Sequence, residues 1–342
     1  GDAGVHTFSA TLKTAGTQSI TASYGTATGS ETQISVTPAG ASHFAVSAPA
    51  GSTAGSALSV TVTALDPYNN TATGYAGTVH FTSSDGQASL PGDYTFTAGD
   101  AGLHTFTSGV TLKTAGSQTV TGTDTVTGSI NGSATVGVTA AAASTMIVSG
   151  FPSPITAGAS GSFSVTLKDA YGNVATGYTG TVHFTGSDAK AVLPANYTFT
   201  SADYGKHTFS ATLKTAGTQS ITATDTVSAS LHGSDSGITV KSAAASKFIL
   251  VAPSSVQPGV PFSLTVEVED AYGNIVTGYV GTIHFSSSDS RAKLPANYSF
   301  KAGDAGIHTF TGLVLRRAGN QTITVTDTHN TSITGKTVVD VL

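Results

Sequence analysis

One phrase occurs four times in this chain, opening each time at an HTF triplet: His6, His104, His207 and His308. It reads HTFSATLKTAGTQSITAS, HTFTSGVTLKTAGSQTVTGT, HTFSATLKTAGTQSITAT and HTFTGLVLRRAGNQTITVT. The steps between copies are 98, 103 and 101 residues. Other words keep the same spacing. DPYNN at Asp66 returns as DAYGN at Asp169 and Asp270, and GTVHF or GTIHF carries His80, His183 and His284 in register. LPGDYTF at Leu90 returns as LPANYTF at Leu193 and LPANYSF at Leu294. Solenoid repeats run at about 20–50 residues. A period near 100 is long enough for each unit to bury its own core, so the repeat is a domain.

The units join at ASHF (Ala41), ASTM (Ala143) and ASKF (Ala245). This divides the chain into a partial module at 1–40 and complete modules at 41–142, 143–244 and 245–342. Linkers of about three residues leave little room for free swinging. Gly1 aligns with Gly99, so residues 1–40 match only the later part of a module and lack the 58 positions that precede it in the next copy. The expectation is a segment of a longer array.

Within a module the apolar period is two. In FSLTVEVED, Phe262, Leu264, Val266 and Val268 alternate with Ser263, Thr265, Glu267 and Glu269, the signature of a strand with one buried face. GTVHF should bury Val79 and Phe81 and turn His80 outward. About seven short, β-branched strands separated by Gly and Asp/Asn turns predict an all-β chain of tandem immunoglobulin-like sandwiches. Laid end to end, such modules predict an extended rod of roughly 120–150 Å. From the HTF phenylalanine to the next recurrent leucine is four residues for Phe8–Leu12 and Phe209–Leu213, and six for Phe106–Leu112. It is five for Phe310–Leu315. Even steps keep both residues on one face, whereas five requires a bulge, expected near Gly312–Leu313.

Composition narrows the function classes. Charged residues are 10% of the chain, against roughly 25% in an ordinary soluble domain. A net charge of −5 offers no basic footprint for nucleic acid. No apolar run reaches the roughly 18 residues of a membrane helix, so no insertion is expected from this segment. With no cysteine there are neither disulfides nor thiolate metal sites. There is no G-x-S-x-G elbow, H-E-x-x-H or phosphate loop, so the chain reads as non-catalytic.

Asp66, Asp169 and Asp270 open tight turns, with Gly172 and Gly273 supplying positive φ. The sharper alternative is calcium, shared with Asp100, Asp203 or Asp304 from another loop, but no dense acidic loop is present. The histidines read as structural, hydrogen-bonded to a neighbouring strand or loop, with no recurrent carboxylate evident beside them. The recurrent Gln18, Gln118, Gln219 and Gln321 read as half-buried amides satisfying loop backbone. A Lys–Asn crosslink through Lys13, Lys113 or Lys214 is not expected, because the fourth copy has Arg316 there. Asn-x-Ser/Thr triplets at Asn69, Asn131, Asn196, Asn297, Asn320 and Asn330 are frequent by composition alone.

VEDAYGNIVTGYVGTIHFSS, with AGDAGIHTF and AGNQTITVTD, resembles the bacterial immunoglobulin-like modules of invasin- and intimin-type adhesin stalks. The likeness covers essentially the whole chain, through the D-x-Y-G-N turn and the A-G-x-x-x-[IV]-T strand. Antibody-type cysteines and tryptophan are missing, and glutamine stands where related strands often place tyrosine. The resemblance implies an extracellular, cell-surface spacer or adhesin. The leading expectation is a stalk or fibre-forming spacer whose partners are its own neighbouring modules. Thr-rich, Lys-poor edges leave homo-association into fibres open, and a cell-surface or glycan ligand is a further possible partner. The alternative is a carbohydrate- or surface-binding accessory module of a secreted enzyme, which needs an open aromatic platform. Tyr75, Tyr178 and Tyr279, in the recurrent T-G-Y, are the candidates.

Overall fold

A computed structural model of the chain describes all 342 residues and contains strands, turns and three single-turn 3-10 helices, Ala98–Asp100, Ser201–Asp203 and Ala302–Asp304. It forms tandem immunoglobulin-like β-sandwiches. The chain divides into two compact units: Gly1–Ser144 with Lys168–Gly177, and Thr145–Leu167 with Tyr178–Leu342.

The first unit begins with a two-stranded hairpin, Gly16–Tyr24 against Ala27–Val36. No residue of 1–40 is buried, and Phe8 and Tyr24 are 85% and 90% exposed. Two strands alone provide no facing sheet on which to bury an apolar side. The sandwich that follows does provide one. His43–Ser47, Ala57–Leu65 and Leu103–Thr111 form a three-stranded antiparallel sheet. The facing sheet runs Gly51–Thr53, Asn131–Thr139, Gly116–Asp124, Thr78–Ser83, Tyr94–Thr95. Its first pair is parallel, and the other pairs are antiparallel. The alternation read from the sequence places Val60, Val62 and Ala64 in the core opposite Val79, Phe81, Val120 and Val136, all nearly inaccessible. His80 points outward.

In the second unit the same pair of sheets forms twice. Thr145–Ser149, Ser160–Lys168 and Lys206–Thr212 face a five-stranded sheet centred on Gly217–Asp225. Ala245–Val251, Phe262–Asp270 and Ile307–Leu313 face one centred on Gly319–Asp327. Leu264, Val266 and Val268 are fully buried beside Ile283, Phe285, Ile323 and Val325.

The strand that begins at HTF tests the spacing argument. In the second unit, Phe163 pairs with Phe209 and Ser160 with Thr212 without interruption, as a step of four requires. Leu264 pairs with Phe310 but Phe262 pairs with Leu313, so one extra residue is looped out at the expected place, with Gly312 at φ +77. The step of six also bulges, which parity did not call for. Val60 pairs with Phe106 and Leu58 with Val110, and the surplus lies at Ser108, φ +50. An even insertion keeps the faces right, but the partner strand keeps its length and the extra residues must leave the ladder. Gly312→Val should therefore cost ~1–3 kcal/mol from backbone strain. Deleting Gly312 restores the four-residue step and should leave the sandwich folded. Hydrogen exchange of the Phe262–Asp270 amides distinguishes the two.

Candidate functional site

The most densely bonded polar feature outside the sheets is the D-x-Y-x-N loop. Asp66 is 1% exposed. One carboxylate oxygen accepts the N–H groups of Tyr68 (2.8 Å) and Asn70 (2.9 Å), forming the turn the sequence implied. The other accepts the Asn70 side-chain amide (2.8 Å) and the linker N–H of Ala39 (3.0 Å). Asn70 then reaches into the preceding module. Its Oδ1 accepts the N–H of Ala15 (2.9 Å), and its Nδ2 donates to the carbonyl of Lys13 (2.8 Å). The motif that read as a local turn is thus also a joint between modules.

The arrangement is the same at the next two joints. Within the first unit, Asn173 takes the N–H of Ala115 (2.9 Å) and donates to Lys113 O (2.7 Å), while Asp169 holds Asn173 and the linker N–H of Ala141. Within the second, Asn274 takes Ala216 N–H (2.8 Å) and donates to Lys214 O (2.7 Å), while Asp270 holds Asn274 and Ala243. An amide is suited to this position because it donates and accepts at once, matching a carbonyl and an N–H two residues apart. The lysines take part through their backbone carbonyls, which any residue supplies.

The loop that Asn173 and Asn274 grip is itself fastened from inside its own module. Asp85, 4% exposed, accepts the N–H groups of Lys113 and Thr114, the Thr114 hydroxyl and the N–H of Gln87. Asp188 makes the same set with Lys214, Thr215 and Lys190. Asp289 keeps the backbone part, to Arg316, Arg317 and Arg291, and arginine replaces the hydroxyl. Sequence reasoning passed over this aspartate. Its signal was its recurrence in SSD, GSD and SSD, four positions beyond the phenylalanine of each VHF or IHF.

A ring closes each of the two joints between complete sandwiches. Gly55 lies at φ +83, where a Cβ would come within 2.0 Å of the Tyr171 hydroxyl. Gly158, at φ +84, faces Tyr272 in the same way. These two glycines are required both by the turn and by the tyrosine lying on them.

The remaining candidates lie elsewhere. Asp100 accepts Thr97 N–H and hydroxyl, the Tyr94 hydroxyl and His104 Nδ1 (2.8 Å), and shares no partner with Asp66. Asp203 and Asp304 make the corresponding bonds to His207 (2.7 Å) and His308 (3.0 Å). A recurrent carboxylate does stand beside these histidines, four residues upstream, contrary to the sequence reading. The left-handed Ala101–Gly102 turn that ends the 3-10 helix bends the chain and brings the two together. The rings of Tyr94 and His104 stack at 3.9 Å. No three His, Asp or Glu side chains gather as a metal-ligand set.

Tyr75, Tyr178 and Tyr279 do not form an open aromatic platform. Their hydroxyls donate to the buried carboxylates of Asp124, Asp225 and Asp327, and their rings pack edge-on to Phe96, Phe199 and Phe300. Burial first, then the neighbouring carboxylate, raises all three phenols above their ordinary range. Gln118 and Gln219 behave as expected of buried amides. They accept Ser84 and Ser187 hydroxyls (2.6 and 2.5 Å) and donate to the carbonyls of Thr114 and Thr215.

Four aspartates in each complete sandwich are held below their ordinary value. In the first unit's sandwich, burial alone would raise Asp66 and Asp85. Hydrogen bonds from Asn70 and loop N–H groups to the one, and from Thr114 and loop N–H groups to the other, outweigh it and bring both to about 2. Asp100 is lowered chiefly by the Thr97 N–H, and Asp124 by the Tyr75 hydroxyl against the effect of burial.

No family model and no curated protein matches the chain. Among solved structures it is similar to FdeC, described as an Escherichia coli adhesin, at 21% identity and TM-score 0.43, over 88% of this chain and 98% of that one. It is similar to InvD of Yersinia pseudotuberculosis at 18% identity and TM-score 0.35, over 87% and 96%. Invasin, described as a bacterial integrin-binding protein, is similar at 16% identity and TM-score 0.35, over 87% of this chain and 60% of that one.

A carboxylate lowered by folding stabilises above its unfolded value, 3.8, and that contribution disappears as pH falls through the folded value. Thermal stability should hold to about pH 4 and fall steeply toward about pH 2. Asp66→Asn and Asp85→Asn should each flatten that slope and lower the melting temperature at pH 7, because an amide cannot accept all the N–H groups the carboxylate holds. Calorimetry across pH checks both effects.

Proposed function

We propose that this chain is a non-catalytic spacer segment of an extracellular, surface-attached protein, in which each module is braced against the one before it. The carrying observation is the side-chain amide of Asn70, Asn173 and Asn274, doubly bonded to the preceding module's loop at all three joints. Linkers tied by Asp66, Asp169 and Asp270 support the same reading, since a tied linker cannot act as a swivel. A glycan platform on Tyr75, Tyr178 and Tyr279 is not favoured, because their hydroxyls hold internal carboxylates.

Small-angle scattering tests the brace. The wild-type chain should give one narrow distance distribution, unchanged between calcium and chelator. Asn173→Ala with Asn274→Ala removes two hydrogen bonds at each of two joints, ~1–3 kcal/mol per joint. The double variant should broaden the distribution while each sandwich stays folded. A wild-type profile as broad as the variant's would overturn the spacer reading. A chelator-dependent profile would instead assign a cation to the Asp66, Asp169 and Asp270 loops.

A further inference from the structure

The face that an incoming D-x-Y-x-N loop grips is present a fourth time, at the end of the last sandwich. Its three elements can be compared with the engaged copies. The first is the loop pair of carbonyl and N–H taken by asparagine: Lys13 and Ala15, Lys113 and Ala115, Lys214 and Ala216. Arg316 and Ala318 stand at the corresponding places. Their loop is pinned from within, as the Lys113 and Lys214 loops are, by Asp289 accepting the N–H groups of Arg316 and Arg317. The second element is the glycine under the tyrosine. Gly259 is at φ +81, matching Gly55 at +83 and Gly158 at +84. Tyr171 and Tyr272 lie on those two, but no side chain lies within 4 Å of a Cβ built at Gly259. The third is the cation near the ring. Lys214 Nζ lies 6.0 Å from the Tyr272 ring centre and Lys13 Nζ 5.2 Å from that of Tyr68. Arg316 occupies that position, and arginine serves an aromatic face at least as well as lysine.

We infer that the Gly259, Arg316–Ala318 end of the last sandwich is a docking face for an immunoglobulin-like module presenting an Asp-x-Tyr-x-Asn loop. Its asparagine would bond Arg316 O and Ala318 N–H, and its tyrosine would cover Gly259 under the Arg316 guanidinium. The occupant is specified by chemistry, because the face offers one acceptor and one donor two residues apart beside an uncovered glycine. A second copy of this chain docking by its own first residues does not fit. Asn70, the first such asparagine, is already bonded to Lys13 and Ala15. All three arginines of the chain, Arg291, Arg316 and Arg317, lie on this end. The internal faces carry fewer cations, Lys113 on one and Lys214 with Lys190, whose Nζ donates to the Tyr272 carbonyl (2.5 Å), on the other, so the arginine-rich end should prefer an incoming loop with a carboxylate near its tyrosine.

The inference rests on the Asn–loop contact being the joint, and the test separates the two claims. The full chain is extended after Leu342 with a second copy of Ser242–Leu342, either unchanged or with Asn274→Ala in the added copy alone. Hydrogen exchange at the Ala318 amide is compared with that at Ala216, which serves as the internal reference. Ala318 should slow by about tenfold in the unchanged extension, as one ordinary hydrogen bond implies, and return in the alanine form. Slowing in both forms, or in neither while Ala216 remains protected, overturns the docking inference and leaves the spacer reading standing. Fast exchange at Ala216 as well would overturn both.

Discussion

Outside its sheets, the loops of this chain are held chiefly by carboxylates that accept backbone N–H groups. With neither cysteine nor tryptophan, small sandwiches must hold their loops by other means. Asp66, Asp85 and Asp124, each repeated twice more, do this from inside, and the half-buried Asp100, Asp203 and Asp304 do it at the module's edge. An ionised carboxylate offers several lone pairs and bonds N–H groups more strongly than a neutral acceptor does. Each one removes several loop donors from the unsatisfied pool at once, and no buried side-chain nitrogen or oxygen lacks a partner. The acidic residues of this thinly charged chain are therefore mostly internal fittings, and the surface is left to serine and threonine.

The same chemistry explains why the modules can be duplicated. Asp85 shapes a loop, and the neighbouring Asn173 reads that loop's backbone. Asp169 in turn holds Asn173 and the linker. Recognition passes through main-chain carbonyl and N–H groups, so the side chains around them are free to change. Replacement of Lys-Thr by Arg-Arg in the last sandwich leaves the Asp289 bonds to the loop backbone in place. A joint written in backbone survives copying better than one written in matched side chains.

Mechanically, such a joint differs from a flexible tether. Its bonds are short and partly buried, and they link a linker, a turn and the preceding loop, so bending at one point must break several together. Cooperative loss of that kind is what the proposed spacer role requires. Calcium would add stiffness by another route, and the Asp66 carboxylate already has four N–H donors on its two oxygens.

The sequence alone determined the repeat, the strand faces and the bulge at Gly312. All three follow from spacing: a period near 100, alternation of two, and a five-residue step that parity forbids. It also determined that the recurrent aspartates make turns, since the i, i+2 and i+4 donors are local. What only the tertiary structure decided is which groups meet across distance. Asn70 and Lys13 are 57 residues apart, Asp85 and Lys113 are 28 apart, and Tyr75 and Asp124 are 49 apart. Recurrence marked every one of these residues, but periodicity carries no information about which repeated positions touch. Even Asp100 and His104, four apart, read as unrelated until the left-handed Ala101–Gly102 turn bent the chain between them. Partner choice depends on how the two sheets close over each other, and that closure is set by core packing distributed over the whole module.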